Sequence, residues 1–357
     1  MGEDMHANIT HRSFEFYRGY PKVELHRHLE GSLRLRTLLE VARAHNLDLL
    51  GTDRLRPLVQ VREDDPYTSQ NFLSKFQTLR QFYRSPEVIG RITREAIADA
   101  ADDNVRSMEL RFTPGALSRA EDFSLAEVID WVIDGAKKAE EELGVMVRLI
   151  VSVNRHESPE LAMQVVKLAE QRIEQGIIGL DLAGNEVHYP ATPFIDVFNH
   201  ARQAGLHTTV HAGEWGGAGN VAMAILQLGA ERIGHGVRVI DDPAVVAMAR
   251  EHATTFEVCV TSNFQSGVVR SMDEHPLPEM CNQDLNVTIN TDDPSISQIT
   301  LGDEYRVVCE ELGFSLETLK GRVLAAAQAS FLADDEKSAL VNRLKGEIAA
   351  FVEQHPD

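Results

Sequence analysis

The feature that most constrains the fold is an alternation, along most of the chain, of short apolar segments with longer amphipathic stretches. Several of the short segments are near-continuous runs of Val, Ile and Leu, which are typical of strands buried on both faces of a parallel sheet. The eight segments are Lys22–Gly31, Arg106–Phe112, Val147–Asn154, Ile177–Leu182, His207–His211, Arg232–His235, Thr254–Thr261 and Asn286–Asn290. Eight strands that alternate with helices predict an α/β fold, the (β/α)8 or TIM barrel, with additional helices.

The amphipathic stretches carry apolar residues at the spacing of helices. They are residues 32–46 and 71–83, Leu125–Leu143, Pro159–Gln175, Thr192–Ala204, Val221–Leu228 and Asp242–His252. Ser32 is the predicted N-cap of the first helix, whereas the charged, proline-containing residues 52–67 are interpreted as a connection. The aromatic residues of 71–83 favour a helix packed in the core, and the alternative is an apolar lid over a pocket.

The length of the chain fits a single barrel, because folds of this class run beyond 250 residues as one domain. We therefore assign residues 1–357 to one catalytic barrel domain. It carries a polar N-terminal extension at residues 1–20 and a helical C-terminal segment at about 303–357.

Composition excludes several classes of partner. The formal net charge of −20 argues against binding to nucleic acid or anionic membranes, because both require a basic face. No apolar run has the length of a transmembrane helix, and residues 1–20 lack the apolar core of a secretory signal. The three cysteines, an odd number without a Cys-x-x-Cys pair, indicate reduced thiols. These features predict a cytoplasmic protein.

Titratable residues gather where the predicted strands end, which is the face of a barrel that carries its active site. In the first segment, His26 and His28 project from the same face of the strand, although two unrelated histidines would give the same pattern. The other strand ends contribute Asp181, Gly184, Glu186, His211, Glu214, His235, Asn263, Asp292 and Asp293. Three imidazoles and a carboxylate from this set would suit Zn²⁺, with Fe²⁺ or Co²⁺ as alternatives.

Several of these residues also have simpler interpretations. Glu214 can face the same cavity as His211 and transfer a proton, or it can be a surface charge of a loop. His235, between two glycines, can be a helix-start or core histidine, and Asp292 with Asp293 can be a helix N-cap followed by a loop. The clustering of all of them at one end of the barrel favours a catalytic site.

The sequence resembles the adenosine deaminase family of the amidohydrolase superfamily from about Pro21 to Leu344. The matching motifs are His-Arg-His-Leu-Glu-Gly at 26–31, Asp-Leu-Ala-Gly at 181–184, His-Ala-Gly-Glu at 211–214, Gly-His-Gly at 234–236, Thr-Ser-Asn at 261–263 and Asn-Thr-Asp-Asp-Pro at 290–294. Each motif alone would be a weak signal, but the ordered set is specific.

The resemblance implies a zinc hydrolase that deaminates adenosine and 2′-deoxyadenosine, with a small purine nucleoside as its partner. It identifies the metal ligands as His26, His28, His211 and Asp292, of which Asp292 also takes part in catalysis and His28 contacts the substrate. It implies that Glu214 protonates purine N1 and that His235 orients the attacking water and takes part in proton transfer. It also implies contacts of Asp293 with purine N7 and of the Gly184 backbone with N3.

Two positions depart from the family pattern. Glu30 stands where adenosine deaminases usually carry the Asp that reaches the ribose 5′-hydroxyl, and Val260 replaces a common proline. Glu30 therefore leaves open a related substrate, namely adenine or a 5′-modified adenosine such as aminodeoxyfutalosine or methylthioadenosine. Trp215, beside two glycines, fits either a pocket wall or a packed loop.

Two further interpretations stay open at this level. One is a purine- or metal-binding protein without turnover, and the other is a different metal-dependent amide or ester hydrolase on the same barrel. The oligomeric state is not determined by any of these patterns.

Overall fold

Eight parallel strands, paired in chain order, form one sheet in the computed structural model, which describes residues 12–48 and 51–356. Each strand pairs with the next one along the chain. The strands are β1 Lys22–His28, β2 Val105–Phe112, β3 Met146–Asn154, β4 Ile177–Ala183, β5 His207–Ala212, β6 Arg232–His235, β7 Thr255–Val258 and β8 Asn286–Ile289. This topology confirms the predicted (β/α)8 barrel.

The barrel closes between β8 and β1 through the residues that follow β8. The N–H of Asp292 donates to the carbonyl of His26 at 2.9 Å, and the N–H of His28 donates to the carbonyl of Asp292 at 2.8 Å. Arg27 and Asp292 thereby form a parallel bridge between the two edges of the sheet. The closure itself places the Asp292 carboxylate beside the histidines of β1.

Seventeen α-helices accompany the barrel in the part of the chain that the structure describes. They are α1 Phe14–Gly19, α2 Leu35–Ala44, α3 Thr52–Val59, α4 Ser69–Leu79, α5 Pro86–Asp102, α6 Pro114–Ser118, α7 Leu125–Leu143, α8 Pro159–Glu170, α9 Ile195–Gln203, α10 Ala218–Met223, α11 Pro243–Glu251, α12 Val260–Gln265, α13 Leu277–Asn282, α14 Pro294–Ser297, α15 Leu301–Glu310, α16 Leu316–Ala329 and α17 Asp334–Gln354. Within the described residues, none is both long and apolar enough to span a bilayer.

The seventh strand is shorter than predicted, because the chain turns into α12 at Val260. The carboxylate of Glu304 accepts hydrogen bonds from the N–H groups of Val260 at 2.9 Å and Thr261 at 3.0 Å. These are two of the N–H groups that a helix start leaves without a partner. A proline at position 260 could not donate the first of these bonds, so this departure from the family pattern has a structural use.

Two further local predictions are wrong. Residues 52–59 of the supposed connection form α3, which buries Leu55 and Val59. Ser32 does not cap α2, because its hydroxyl donates to the carbonyl of His28 at 2.7 Å and accepts from Nε of Arg27 at 3.0 Å. Ser32 therefore fixes the turn that follows β1.

The N-terminal and C-terminal helices pack on each other at the barrel's edge. The rings of Phe16 and Tyr20 lie 5.1 and 5.6 Å from the ring of Phe351 in α17. The predicted polar extension thus contains a packed helix at residues 14–19, whereas residues 1–11 lie outside the described part of the chain.

Glu109→Ala is expected to lower the free energy of unfolding by about 3–5 kcal/mol, because buried Arg232 loses an ion-pair partner. The Glu109 carboxylate lies 2.5 Å from Arg232 Nη2 and accepts from the N–H of Phe331 at 2.6 Å. Urea unfolding measures the change. The control Glu347→Ala removes the half-buried partner of Arg106 and should cost less than about 1 kcal/mol. Equal losses in the two variants would contradict the prediction.

Candidate active site

Four predicted metal ligands meet where β1, β5 and β8 end. Nε2 of His28 lies 3.2 Å from Nε2 of His211. Oδ1 of Asp292 lies 3.3 Å from Nε2 of His26 and 3.3 Å from Nε2 of His28. All four side chains are buried, and Nε2 of His26 makes no hydrogen bond to any described residue. A buried imidazole nitrogen without a hydrogen bond, among other nitrogen and oxygen atoms that can bind a metal, fits a divalent metal ion.

Carboxylates behind the histidines fix which nitrogen of each ring faces the cavity. Nδ1 of His26 lies 2.8 Å from Oε2 of Glu257, and Nδ1 of His211 lies 2.9 Å from Oδ1 of Asp181. Because a carboxylate accepts, Nδ1 carries the proton and Nε2 keeps its lone pair for a metal. The Arg111 guanidinium lies 2.8 Å from Glu257 and 3.6 Å from Asp181, so it holds both carboxylates in place.

The charges of this layer keep its groups in the states that metal binding needs. Burial alone would raise the pKa of Asp181, but His211 and Arg111 outweigh it and hold that pKa below its usual range. Burial lowers the pKa of His211 to about 4 even though Asp181 opposes the shift. At neutral pH the imidazole is therefore neutral and can act as a ligand.

Neither Glu257 nor Arg111 is predicted from the sequence as part of the site. Both lie inside strands and act through other residues, so no motif at a strand end contains them. The available signal was a charged residue within an apolar segment, such as Glu257 between Phe256 and Val258. Such a residue is costly to bury without a partner, and it therefore indicates a buried ion pair.

Glu214 lines the cavity from a loop whose backbone is held by a second glutamate, Glu186. The N–H groups of Gly213, Glu214 and Gly216 donate to the carboxylate of Glu186 at 2.9, 2.7 and 2.8 Å. The sequence places Glu186 at a strand end but does not reveal this role. Burial raises the pKa of Glu214 well above its usual range, and the nearby charges of Asp292 and Glu186 raise it further. This shift favours the protonated carboxyl, the form that can donate a proton.

His235 is held by a chain of hydrogen bonds that begins at a backbone N–H. The N–H of Leu277 donates to Nδ1 of His275 at 3.1 Å, which leaves the proton of a neutral His275 on Nε2. Burial lowers the pKa of His275 to about 3, so it is neutral. Its Nε2–H donates to Oδ1 of Asn263 at 3.3 Å, and the Asn263 amide donates to Nδ1 of His235 at 3.1 Å.

This chain determines what His235 presents to the cavity. Burial lowers the pKa of His235 well below its usual range, so the ring carries one proton. Because Nδ1 accepts from Asn263, that proton is on Nε2, which lies 3.8 Å from Oε2 of Glu214 and 3.8 Å from Oδ2 of Asp292. His235 therefore faces the cavity as a hydrogen-bond donor.

Two site residues have the left-handed backbone conformation, with positive φ, that residues other than glycine rarely adopt. His235 has φ of +60° and Asp292 has φ of +65°. Each such residue costs about 1–3 kcal/mol, and such strain concentrates at functional sites. Gly31 is required for a different reason, because a Cβ there would lie 1.8 Å from Oδ1 of Asp293.

The remaining predicted residues lie in the same cavity. Glu30, Gly184 and Asp293 line it together with five residues already described. Trp215 also lines the cavity, which favours its interpretation as a pocket wall. Phe72 and Phe76 contribute the face of α4, so the stretch at 71–83 is both a core helix and a wall of the cavity.

Comparison with known proteins agrees with this chemistry. The chain matches the family model described as adenosine deaminase over residues 21–347. An adenosine deaminase from Klebsiella pneumoniae (strain 342) is 36% identical over 326 residues, which cover 91% of this chain and 97% of that protein. The chain belongs to the adenosine deaminase family. It is accordingly a hydrolytic deaminase of a metal-dependent family that acts on small purine substrates.

Two solved structures share the fold of this family member. One is an adenine deaminase from Arthrobacter aurescens, with a TM-score of 0.84 and 27% identity, covering 92% of this chain and 99% of that one. The other is an amidohydrolase from Burkholderia ambifaria with bound zinc, with a TM-score of 0.88 and 25% identity, covering 99% of this chain and 95% of that one.

Asp181→Asn is expected to weaken metal binding about 10–100-fold, the usual cost of losing a group that supports a ligand. Asparagine keeps the size of the side chain but removes the negative charge behind His211. Competition with a chelator measures the affinity. The control Ser152→Ala removes only the hydroxyl that donates to Asp181 at 2.9 Å and should change the affinity less. Unchanged affinity in the asparagine variant would contradict the supporting role.

Proposed function

We propose that this protein deaminates adenosine and 2′-deoxyadenosine to the inosine nucleosides and ammonia, using one Zn²⁺ bound by His26, His28, His211 and Asp292. The observation that carries the proposal is the convergence of His28, His211 and Asp292 with Glu214 and His235 around a single cavity, with His26 beside Asp292. Fe²⁺ and Co²⁺ suit the same nitrogen and oxygen donors. When bound, the ion acts as a Lewis acid and lowers the pKa of water towards neutrality.

Glu214 supplies the proton that makes the purine reactive. Its raised pKa favours the protonated carboxyl, and Glu214 lines the same cavity as His28, His211 and Asp292. Donation to N1 places positive charge on the ring and makes C6 more electrophilic. The amine can then be replaced by water with release of ammonia, so this step is general acid catalysis.

His235 and Asp292 have different roles towards the attacking water: one orients it and the other accepts its proton. The Nε2–H of His235 donates to the oxygen of that water and orients it. Oδ2 of Asp292 accepts the proton that the water loses, and the Ser262 hydroxyl, which donates to Oδ2 at 2.7 Å, keeps this oxygen in position. Preorganised groups of this kind stabilise charge as it develops in the transition state.

Asp293 and Gly184 recognise the purine. Burial, followed by the negative charges of Asp292 and Glu30, raises the pKa of Asp293 well above its usual range. This shift favours the protonated carboxyl, which can donate to N7, an atom that only accepts. The N–H of Gly184 donates to N3. Together with Glu214 these groups favour a 6-aminopurine over a pyrimidine.

Glu30 is the residue that we assign to binding of the sugar. Its Oε1 accepts from the N–H of Thr113 at 2.8 Å, whereas its buried Oε2 has no hydrogen-bond partner among the described residues. We assign Oε2 to a ribose hydroxyl. The similarity to an adenine deaminase supports adenine as a second candidate substrate. A 5′-modified adenosine is the other alternative, because Glu30 stands in place of the usual Asp.

The proposed compartment is the cytoplasm. The three cysteines, Cys259, Cys281 and Cys309, are free thiols in the described structure, as expected where thiols stay reduced.

The deciding experiment compares metal-loaded protein on adenosine, 2′-deoxyadenosine, adenine and methylthioadenosine. Ammonia release and the ultraviolet change on deamination are followed together, with chelated protein as the control. The highest kcat/KM on adenosine supports the proposal. Higher kcat/KM on adenine or methylthioadenosine supports the corresponding alternative, and the absence of ammonia from every substrate rejects them all.

A further inference from the structure

Arg80, just after α4, is a cation in the cavity without a protein partner. It lines the cavity beside Phe76 and Gln77. Its Nε is buried without a hydrogen bond, and no ion pair of its guanidinium occurs among the described residues. Arginines nearby differ, because Arg84 lies 2.6 Å from Glu121 and Arg119 is paired with Glu157.

The spacing of residues along α4 places Arg80 on the side of the helix that faces the cavity. Phe72, Phe76 and Arg80 are spaced by four residues, so they follow one face of α4 and of the turn that continues it. That face covers the cavity with two aromatic rings and ends in a guanidinium. The four-residue spacing keeps Arg80 on the cavity side, away from the exposed face that carries Ser74.

Glu30 lines the same cavity as Arg80 and also has a polar atom without a partner. Its Oε2 is buried and makes no hydrogen bond to a described residue. The cavity therefore offers a carboxylate oxygen that can accept and a guanidinium that can donate.

Glu30 and Arg80 together would bind a ligand that carries two kinds of substituent. Carboxylate oxygens of Glu30 accept from hydroxyl groups, whereas a guanidinium only donates and pairs best with a carboxylate or phosphate. His28, His211, Asp292 and Glu214 line another part of the same cavity. A substrate that spans it would carry the 6-aminopurine there, ribose hydroxyls at Glu30 and an oxyanion beyond them.

We infer that Arg80 is a subsite for an oxyanion on the 5′ carbon, so that the enzyme also accepts adenosine nucleosides with a 5′-phosphate or 5′-carboxylate. This inference rests on the proposed function and extends its substrate class. The cavity has a volume of about 230 Å³, and Arg80, Glu30 and Glu214 all line it, so one ligand can contact the three groups.

The test compares adenosine, adenosine 5′-monophosphate and adenosine 5′-carboxylate in wild type, Arg80→Gln and Arg84→Gln. In Arg80→Gln, the KM of the favoured anionic nucleoside should rise about 10–100-fold, the effect of losing a charged, bidentate contact. The KM of adenosine should change less than about threefold, and Arg84→Gln should change neither. The larger of the two anion effects identifies phosphate or carboxylate as the preferred group.

Three outcomes would overturn the inference. They are failure of wild type to act on either anion while it deaminates adenosine, equal losses on neutral and anionic substrates in Arg80→Gln, and no loss on any of them. Calorimetry with inosine and inosine 5′-monophosphate separates this failure from that of the proposed function. Weaker binding of the monophosphate alone in Arg80→Gln supports the subsite even if the protein proves inactive, and equal binding in both proteins rejects it.

Discussion

Glu214→Gln is expected to lower kcat about 10³-fold while the protein keeps its metal, because the substitution removes the acid and spares the ligands. Glutamine has nearly the shape of the protonated carboxyl and can still donate a hydrogen bond to N1. It cannot transfer the proton, so binding of the purine should survive and the chemical step should not. Steady-state kinetics and metal analysis on the same preparation measure both quantities.

The pH profile gives this prediction a second readout. Since burial and nearby carboxylates raise the pKa of Glu214, its acid form persists to higher pH than that of an ordinary carboxyl and is lost as the pH rises further. Wild-type kcat should therefore fall on the alkaline side, and the residual activity of Glu214→Gln should lack that fall. Glu251→Gln, at the exposed end of α11, is the matched control. An unchanged kcat, or loss of metal, would remove Glu214 from its role as acid.

The barrel was predictable because its strands must be apolar. Strands covered on both faces select Val, Ile and Leu, and β4 and β6 accordingly lie within a residue of their predicted bounds. The end of β7 was not predictable in this way. Apolar residues continue through Val260, and the group that starts a helix there is Glu304, 44 residues further along the chain.

The meeting of the proposed ligands was predictable for a related reason, since a barrel collects the ends of its strands and the sequence places His26, His211 and Asp292 at such ends. The supporting layer was not. Glu257 meets Arg111 across 146 residues of sequence, and neither lies in a recognisable motif. Which inward-facing residues of different strands contact each other depends on the register of the closed barrel. That register cannot be read from a single sequence, so the partners of Glu257 and Arg111 could not be predicted.

The same limit applies to Asn263, which the sequence places at a strand end without indicating its task. In the structure its amide joins His275 to His235 and thereby decides which nitrogen of His235 carries the proton. Asp in place of Asn263 would reverse this, because a carboxylate can only accept. The proton of a neutral His235 would move to Nδ1, and Nε2 would face the attacking water without a hydrogen to donate.

Asn263→Asp is therefore expected to lower kcat about 10²–10³-fold at pH 8, with little change in metal content, since an oriented donor at the reacting centre is lost. The new carboxylate also favours the doubly protonated ring, which donates again from Nε2, so the loss should shrink as the pH falls towards 6. Nitrogen-15 NMR of the histidines reports the tautomer directly. The control Asn286→Asp makes the same change at the start of β8, where the amide donates only to Thr255. A pH-independent loss, or an unchanged His235 tautomer, would show that Asn263 acts by packing and that the water is oriented by another group.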